Sequence, residues 1–144
     1  MNAAEISAVA TPSAIQSPSL QTCTDARPCV LLVEDDAAVR RYLEVVLERA
    51  GYAVKTAADG LEAMKMVMSA GFDAVVTDAI MPHLGGQELC RFIRRHPKLS
   101  KLPVIILSAL ESTNTASEDS EANARLAKPV RPDELASCIA RLLE

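Results

Sequence analysis

From Pro28 onward, short apolar runs alternate with segments whose apolar residues recur every three or four positions. Residues 30–33, "VLLV", read as a buried strand. Behind them Val39, Tyr42, Leu43, Val46, Leu47 and Ala50 fall at helical spacing, and Gly51 stands where a glycine ends a helix. Residues 52–57 read as a second strand and Asp59-Gly60 as a turn. Leu61, Met64, Val67 and Met68 then mark a second helix that stops near Gly71, with its methionines as core filler. Residues 73–78 give a third strand, followed by a helix carrying Leu89, Phe92 and Ile93. "PVIIL", residues 103–107, is the fourth strand and "RLA", residues 125–127, the fifth. A last helix runs through Leu135, Cys138, Ile139 and Leu142, with Pro132 suited to its first turn. Strands that are apolar on both faces and separated by helices belong to a parallel sheet covered on both sides. The pattern predicts a five-stranded, doubly wound α/β domain.

Two stretches depart from the alternation. Residues 1–27 are rich in Ala, Ser, Thr and Pro and show no sustained period, so they read as a flexible N-terminal tail before a domain spanning 28–144. The fourth helix, due between strands four and five, offers only alanines as apolar residues from Glu111 to Asn123. A helix without an apolar face has little to hold it on a sheet, so an atypical or weakly ordered element is expected there.

The chain has 144 residues, 49% of them hydrophobic, enough for one core. Its net charge of −4 argues against direct nucleic-acid binding, which needs a dense cationic face. The cluster Arg91, Arg94, Arg95, Lys98 and Lys101 reads as decoration that stabilises the C-terminus of the third helix. No apolar run approaches a membrane span and the N-terminus lacks a signal-peptide pattern, so no membrane insertion and a cytoplasmic location are expected. Cys23, Cys29, Cys90 and Cys138 form no C-x-x-C pair and read as reduced thiols. His83 and His96 are assigned no chemistry.

Chemistry in an open parallel sheet gathers outside the carboxyl ends of the strands, above all where the strand order reverses. Glu34-Asp35-Asp36 end the first strand, Asp78 the third and Ser108 the fourth, and Lys128 follows the fifth. In the order 2-1-3-4-5 these ends share one shallow pocket. Crowded carboxylates repel unless a cation sits among them, and oxygen donors without His or Cys suit Mg2+ rather than zinc. Asp78 is then a candidate nucleophile, Lys128 its counter-charge, and Ser108 a hydrogen-bond donor to a phosphoryl oxygen. Asp36 reads as the N-cap of the first helix.

Four motifs, "VEDD", "DAIMPHLGG", "ILSA" and "KPV", stand in order on these strand ends. Together they make residues 28–144 resemble the receiver domain of two-component response regulators, in its stand-alone form. The resemblance implies a flavodoxin-like (βα)5 fold and a phosphoacceptor signalling protein rather than an enzyme acting on another substrate. Such a protein catalyses its own phosphorylation and slow dephosphorylation. Asp78 would accept phosphoryl from a histidine kinase, a phosphotransfer protein or a small phosphodonor. Asp35 and Asp78 would ligate Mg2+ directly, Glu34 through a water, and the backbone carbonyl of Ile80 would add an oxygen. Ser108 would move toward the phosphoryl group, and Lys128, before a cis proline at Pro129, would pair with it. Output would pass to a protein target through the face of helix four, strand five and helix five.

Several positions depart from the family pattern. An aromatic switch residue is replaced by Arg125, and together with the polar 111–124 segment this suggests an order-disorder switch. Ile80 and Leu110 are apolar where the family orients water with polar residues, which implies a long-lived phosphoaspartate. Alternatives are a phosphate shuttle or sink in a relay, a degenerate receiver that binds partners without phosphorylation, and a phosphatase of the haloacid dehalogenase type. Against the last, Ile80 stands where that chemistry needs a second aspartate.

Overall fold

The computed structural model describes residues 27–109 and 121–144. Five strands, β1 (Cys29–Val33), β2 (Ala53–Ala57), β3 (Ala74–Asp78), β4 (Val104–Ser108) and β5 (Ala124–Ala127), form one parallel sheet in the order β2-β1-β3-β4-β5. The described helices are α1 (Ala37–Arg49), α2 (Gly60–Ser69), α3 (Gly86–Arg95) and the C-terminal α4 (Pro132–Leu142). The predicted fold class and strand order are observed. The expected weak helix between β4 and β5 and the expected tail lie almost entirely outside the described residues. No described helix is long and apolar enough to cross a membrane.

β1, β3 and β4 are buried along their whole length, so alternate residues feed a core on each face. On one face Val30, Leu32, Val76, Ile105 and Leu107 pack with Leu43 and Leu47 of α1 and Leu135 and Ile139 of α4. On the other, Leu31, Val33, Val75, Val104 and Ile106 pack with Ala63 and Val67 of α2 and Leu89 and Ile93 of α3. Each such side chain contributes roughly 1.5–3 kcal/mol when removed from water.

Short polar residues start the helices as the sequence requires. Asp36 caps α1 by accepting the Val39 amide at 3.0 Å. Asp59 does the same for Glu62 at 2.8 Å, and the Glu62 carboxylate reaches back to the Ala58 amide at 2.8 Å. Glu62 thus reaches the amide one residue before the Asp59 N-cap, and this reciprocal pair replaces the expected Asp59-Gly60 turn, since Gly60 already lies inside α2. Gly51, at φ 104, follows the end of α1 in a conformation other residues resist.

Two further expectations are corrected. Leu61 (47% exposed) and Met68 (57% exposed) face away from the sheet, while the expected Val67 is buried together with Gly60 and Ala63. Small residues let this helix lie close to its neighbours, which leaves the larger ones outside. Cys29 is disulfide-bonded rather than a reduced thiol, whereas Cys90 and Cys138 are free and buried.

Arg94 fastens the approach to β5. Its guanidinium donates to the carbonyls of Glu121 (2.9 Å), Ser100 (3.2 Å) and Leu102 (2.7 Å), and to Asn123 Oδ1. Asn123 Oδ1 also accepts the Val104 amide at 2.8 Å, which aligns β5 beside β4.

Candidate functional site

The carboxyl ends of β1, β3, β4 and β5 converge as the strand order predicts. Glu34 follows β1, Asp78 closes β3, Ser108 closes β4, and Lys128 comes directly after β5. Register fixes their heights: Asp78 pairs with Leu107 and Ser108 with Ala127, while the Lys128 amide donates to the Ser108 carbonyl at 2.8 Å. Glu34, Asp78 and Ser108 are buried and Asp35 is exposed.

One carboxylate oxygen from each of Glu34, Asp35 and Asp78 lies within 4.8 Å of the others. Lys128 Nζ donates to Asp78 Oδ1 at 2.9 Å, an ion pair that is only partly shielded from solvent. Burial alone would lower the Lys128 pKa, but the hydrogen bond and charge of Asp78, helped by Glu34 and Asp35, outweigh it and raise the value. Burial raises the Glu34 carboxyl above its ordinary range; the Asp36 amide opposes this, and Asp78 and Asp35 add to it. Glu34 Oε2 accepts that amide at 3.2 Å, so Asp36 serves both α1 and the pocket.

Two buried oxygens in the pocket lack hydrogen-bond partners among the described residues, Glu34 Oε1 and Ser108 Oγ. An unsatisfied buried polar group costs about 1–3 kcal/mol, so these atoms suit a cation and an anion that arrive together. A cluster made of hard carboxylate oxygens, with neither His nor Cys, fits Mg2+. The residues present therefore match the ion that the sequence implied.

The loop after β3 is held tightly. The Ala79 amide donates to the Leu107 carbonyl at 2.8 Å, and the Gly86 amide to the Ala79 carbonyl at 2.9 Å. A Cβ at Gly86 would collide with the Asp78 carbonyl oxygen, so only glycine lets α3 begin this close to β3. His83, at φ 71, takes a left-handed turn within the loop, and Ile80 projects its side chain outward at 76% exposed. The Lys128-Pro129 bond is cis, as expected.

The structure thus gathers Glu34, Asp35, Asp78, Ser108 and Lys128. Ile80 is adjacent in sequence, with only its backbone a candidate ligand. Arg125 stands apart: it donates to Gln87 Oε1 on α3 at 2.7 Å. Sequence reasoning missed Gln87 and the packing role of Gly86; the glycine pair after Met81-Pro82 was the available signal for the second.

Residues 30–140 match the model of the response regulator receiver domain. The chain is 40% identical over 116 residues to the response regulator MprA of Mycobacterium ulcerans, covering 79% of this chain and 49% of the relative. It therefore spans about half the length of the curated relatives it matches. Among solved structures, it resembles the receiver domain of the sensor histidine kinase PA1611 from Pseudomonas aeruginosa, described with a magnesium ion coordinated in its active site cleft. That likeness has a TM-score of 0.76 at 30% identity, covering 82% of this chain and 98% of the other. The chemotaxis response regulator CheY4 of Vibrio cholerae is similar at a TM-score of 0.73 and 30% identity, covering 81% and 99%.

Proposed function

Because this chain belongs to the response regulator receiver domain family of two-component signalling, we propose that it accepts a phosphoryl group on Asp78 with Mg2+ and signals by conformational change to a protein partner. The observation that carries the reading is the joint placement of three carboxylates within 4.8 Å, Lys128 at 2.9 Å from Asp78, and the unpartnered Ser108 hydroxyl.

In the proposed reaction an Asp78 carboxylate oxygen attacks phosphorus. The bond to the donor breaks, and its electron pair leaves on the donor's imidazole nitrogen or acetate oxygen. Asp35, Asp78, the Ile80 carbonyl and, through a water, Glu34 would hold Mg2+, which supplies charge neutralisation at the phosphoryl oxygens. Lys128 turns from Asp78 to the new phosphoryl charge, and Ser108 donates a hydrogen bond from its hydroxyl to a phosphoryl oxygen. The donor is a histidine kinase or phosphotransfer protein.

Output is proposed through β5, α4 and the connection that precedes β5. Arg125 would couple the pocket to that face through Gln87, whose neighbour Gly86 packs on the Asp78 carbonyl. The exposed apolar Ile80 offers no polar group to orient an attacking water, which supports a long-lived phosphoaspartate.

Incubation with acetyl phosphate and Mg2+, followed by intact mass, tests the reading. One phosphoryl adduct that disappears in Asp78→Asn and without metal supports it; an adduct that persists in Asp78→Asn refutes it. Limited proteolysis tests the proposed boundary at residue 28, with early cleavage expected before it rather than within residues 28–109. Action without an attached output domain is the last part of the proposal. A species near 15.4 kDa in an immunoblot of source cells supports it, and a markedly larger one refutes it.

A further inference from the structure

We infer that the basic face at the far end of α3 is a docking surface for an acidic segment of a partner protein. Arg91, Arg94, Arg95, Lys98 and Lys101 lie in a stretch without a single Asp or Glu between Glu88 and Glu111, in a chain whose net charge is −4. None of these five cations forms an ion pair among the described residues. Helix-terminus electrostatics covers only part of the cluster. Arg94 and Arg95 sit in the last turn of α3, but Arg91 precedes it and Lys98 and Lys101 lie beyond the helix. Arg94 is also committed to three carbonyls and the Asn123 side chain. The other four make no side-chain hydrogen bond among the described residues.

The surface is shaped as well as charged. A shallow groove of about 430 Å³ is lined by Glu88, Arg91, Phe92, Arg95, His96 and Pro97. Phe92 and His96 are neighbours in its lining, with ring centroids 6.0 Å apart. A second groove, of about 360 Å³, lies across the Lys98–Lys101 turn, with Phe72 and Gly71 among its walls. An apolar groove next to a basic turn suits an extended peptide that places an apolar side chain in the groove and acids over the turn. A nucleic acid fits less well, because its unbroken row of phosphates would have to pass Glu88 and Asp73, whereas a peptide can set its apolar residue beside them and its acids over the lysines. This inference is independent of phosphoryl transfer at Asp78.

The test uses a short fluorescein-labelled peptide of aspartates and glutamates around one phenylalanine, titrated into the full chain by anisotropy and by ¹⁵N chemical-shift mapping. Saturable binding is expected, with shifts confined to residues 67–73 and 86–103 and affinity falling as salt rises. Two double variants, Arg91→Glu with Arg95→Glu and Lys98→Glu with Lys101→Glu, should each weaken binding roughly tenfold. Both alter exposed or half-exposed positions, so loss of fold in one leaves the other decisive. Equal binding by a folded variant, or no binding at all, overturns the inference. So does tighter binding of duplex DNA. A tenfold gain in peptide affinity when Glu111, Glu118 and Asp119 are changed to Gln would assign the face to the chain's own acidic stretch and likewise overturn it.

Discussion

Asp35→Asn should stabilise the metal-free protein while weakening its response to magnesium. The exposed Asp35 carboxylate approaches those of Glu34 and Asp78 to within 4.8 Å. At that separation one pair of charges repels by about 0.9 kcal/mol in water and about 3.5 kcal/mol at an effective dielectric of 20. Exposure places Asp35 toward the lower figure, and its attraction for Lys128 offsets part of the two repulsions. A net gain of about 1 kcal/mol follows, equivalent to a rise in Tm of about 4 °C for a domain of this size. Raising salt to about 1 M shortens the screening length to about 3 Å and should shrink the gain. Magnesium at about a hundred times its Kd should add about 2.7 kcal/mol to the wild type, and much less to the variant, which has lost a proposed ligand. Scanning calorimetry in EDTA and then in magnesium reads both effects. A variant that melts below the wild type in EDTA, or gains as much from magnesium, refutes the reasoning.

Other perturbations test separate parts of the structure. Ser108→Ala removes a buried hydroxyl without a partner among the described residues, so metal-free stability should hold or rise by up to about 1 kcal/mol in urea unfolding, while phosphoryl acceptance slows. Gly86→Ala drives a methyl against the Asp78 carbonyl; a loss of about 1–3 kcal/mol is expected, together with slower labelling by acetyl phosphate. Arg94→Met leaves its carbonyl partners and Asn123 short of a donor; a loss of about 2–3 kcal/mol in urea is expected. Burial pushes the Cys90 and Cys138 thiols above their ordinary value of 9.0. The unfolded chain therefore ionises first: this stability is complete below about pH 9 and is lost as pH rises past it. Native thiols should escape a pulse of iodoacetamide at pH 8 that labels them in urea, a result that mass mapping checks.

Local signals were the legible ones. Strands β1, β3 and β4 announced themselves because burial on both faces demands unbroken apolar runs, and the pocket followed because polar residues sat only at their carboxyl ends. The buried face of α2 was read only in part: Val67 was found, but Leu61 and Met68 were preferred to Gly60 and Ala63 because large apolar residues were given more weight than small ones. Spacing alone allows Ala63 and Val67 to share a face as well as Leu61 and Met68, and close packing favoured the first pair. Long-range polar pairs left no trace in the sequence. Arg125 meets Gln87 across 38 positions and Arg94 meets Asn123 across 29, and neither pairing has a periodicity that could reveal it.

The atoms left unsatisfied say more about the pocket than those that are paired. Glu34 Oε1 and Ser108 Oγ are both buried without a partner among the described residues, in the same pocket as the Asp78–Lys128 ion pair. At about 1–3 kcal/mol each, such groups are a large fraction of the net stability of a small domain. Selection for stability alone would remove them, by alanine at position 108 and an apolar residue at 34. Their retention becomes intelligible if the state that satisfies them is a loaded one, with a cation at the carboxylates and an anionic oxygen at the hydroxyl. The Arg125 guanidinium carries a third such atom, its Nε, outside the pocket. A water, or a shift of the guanidinium, can supply that N–H with an acceptor, so β5 holds a buried group that a second state could satisfy, as the pocket does.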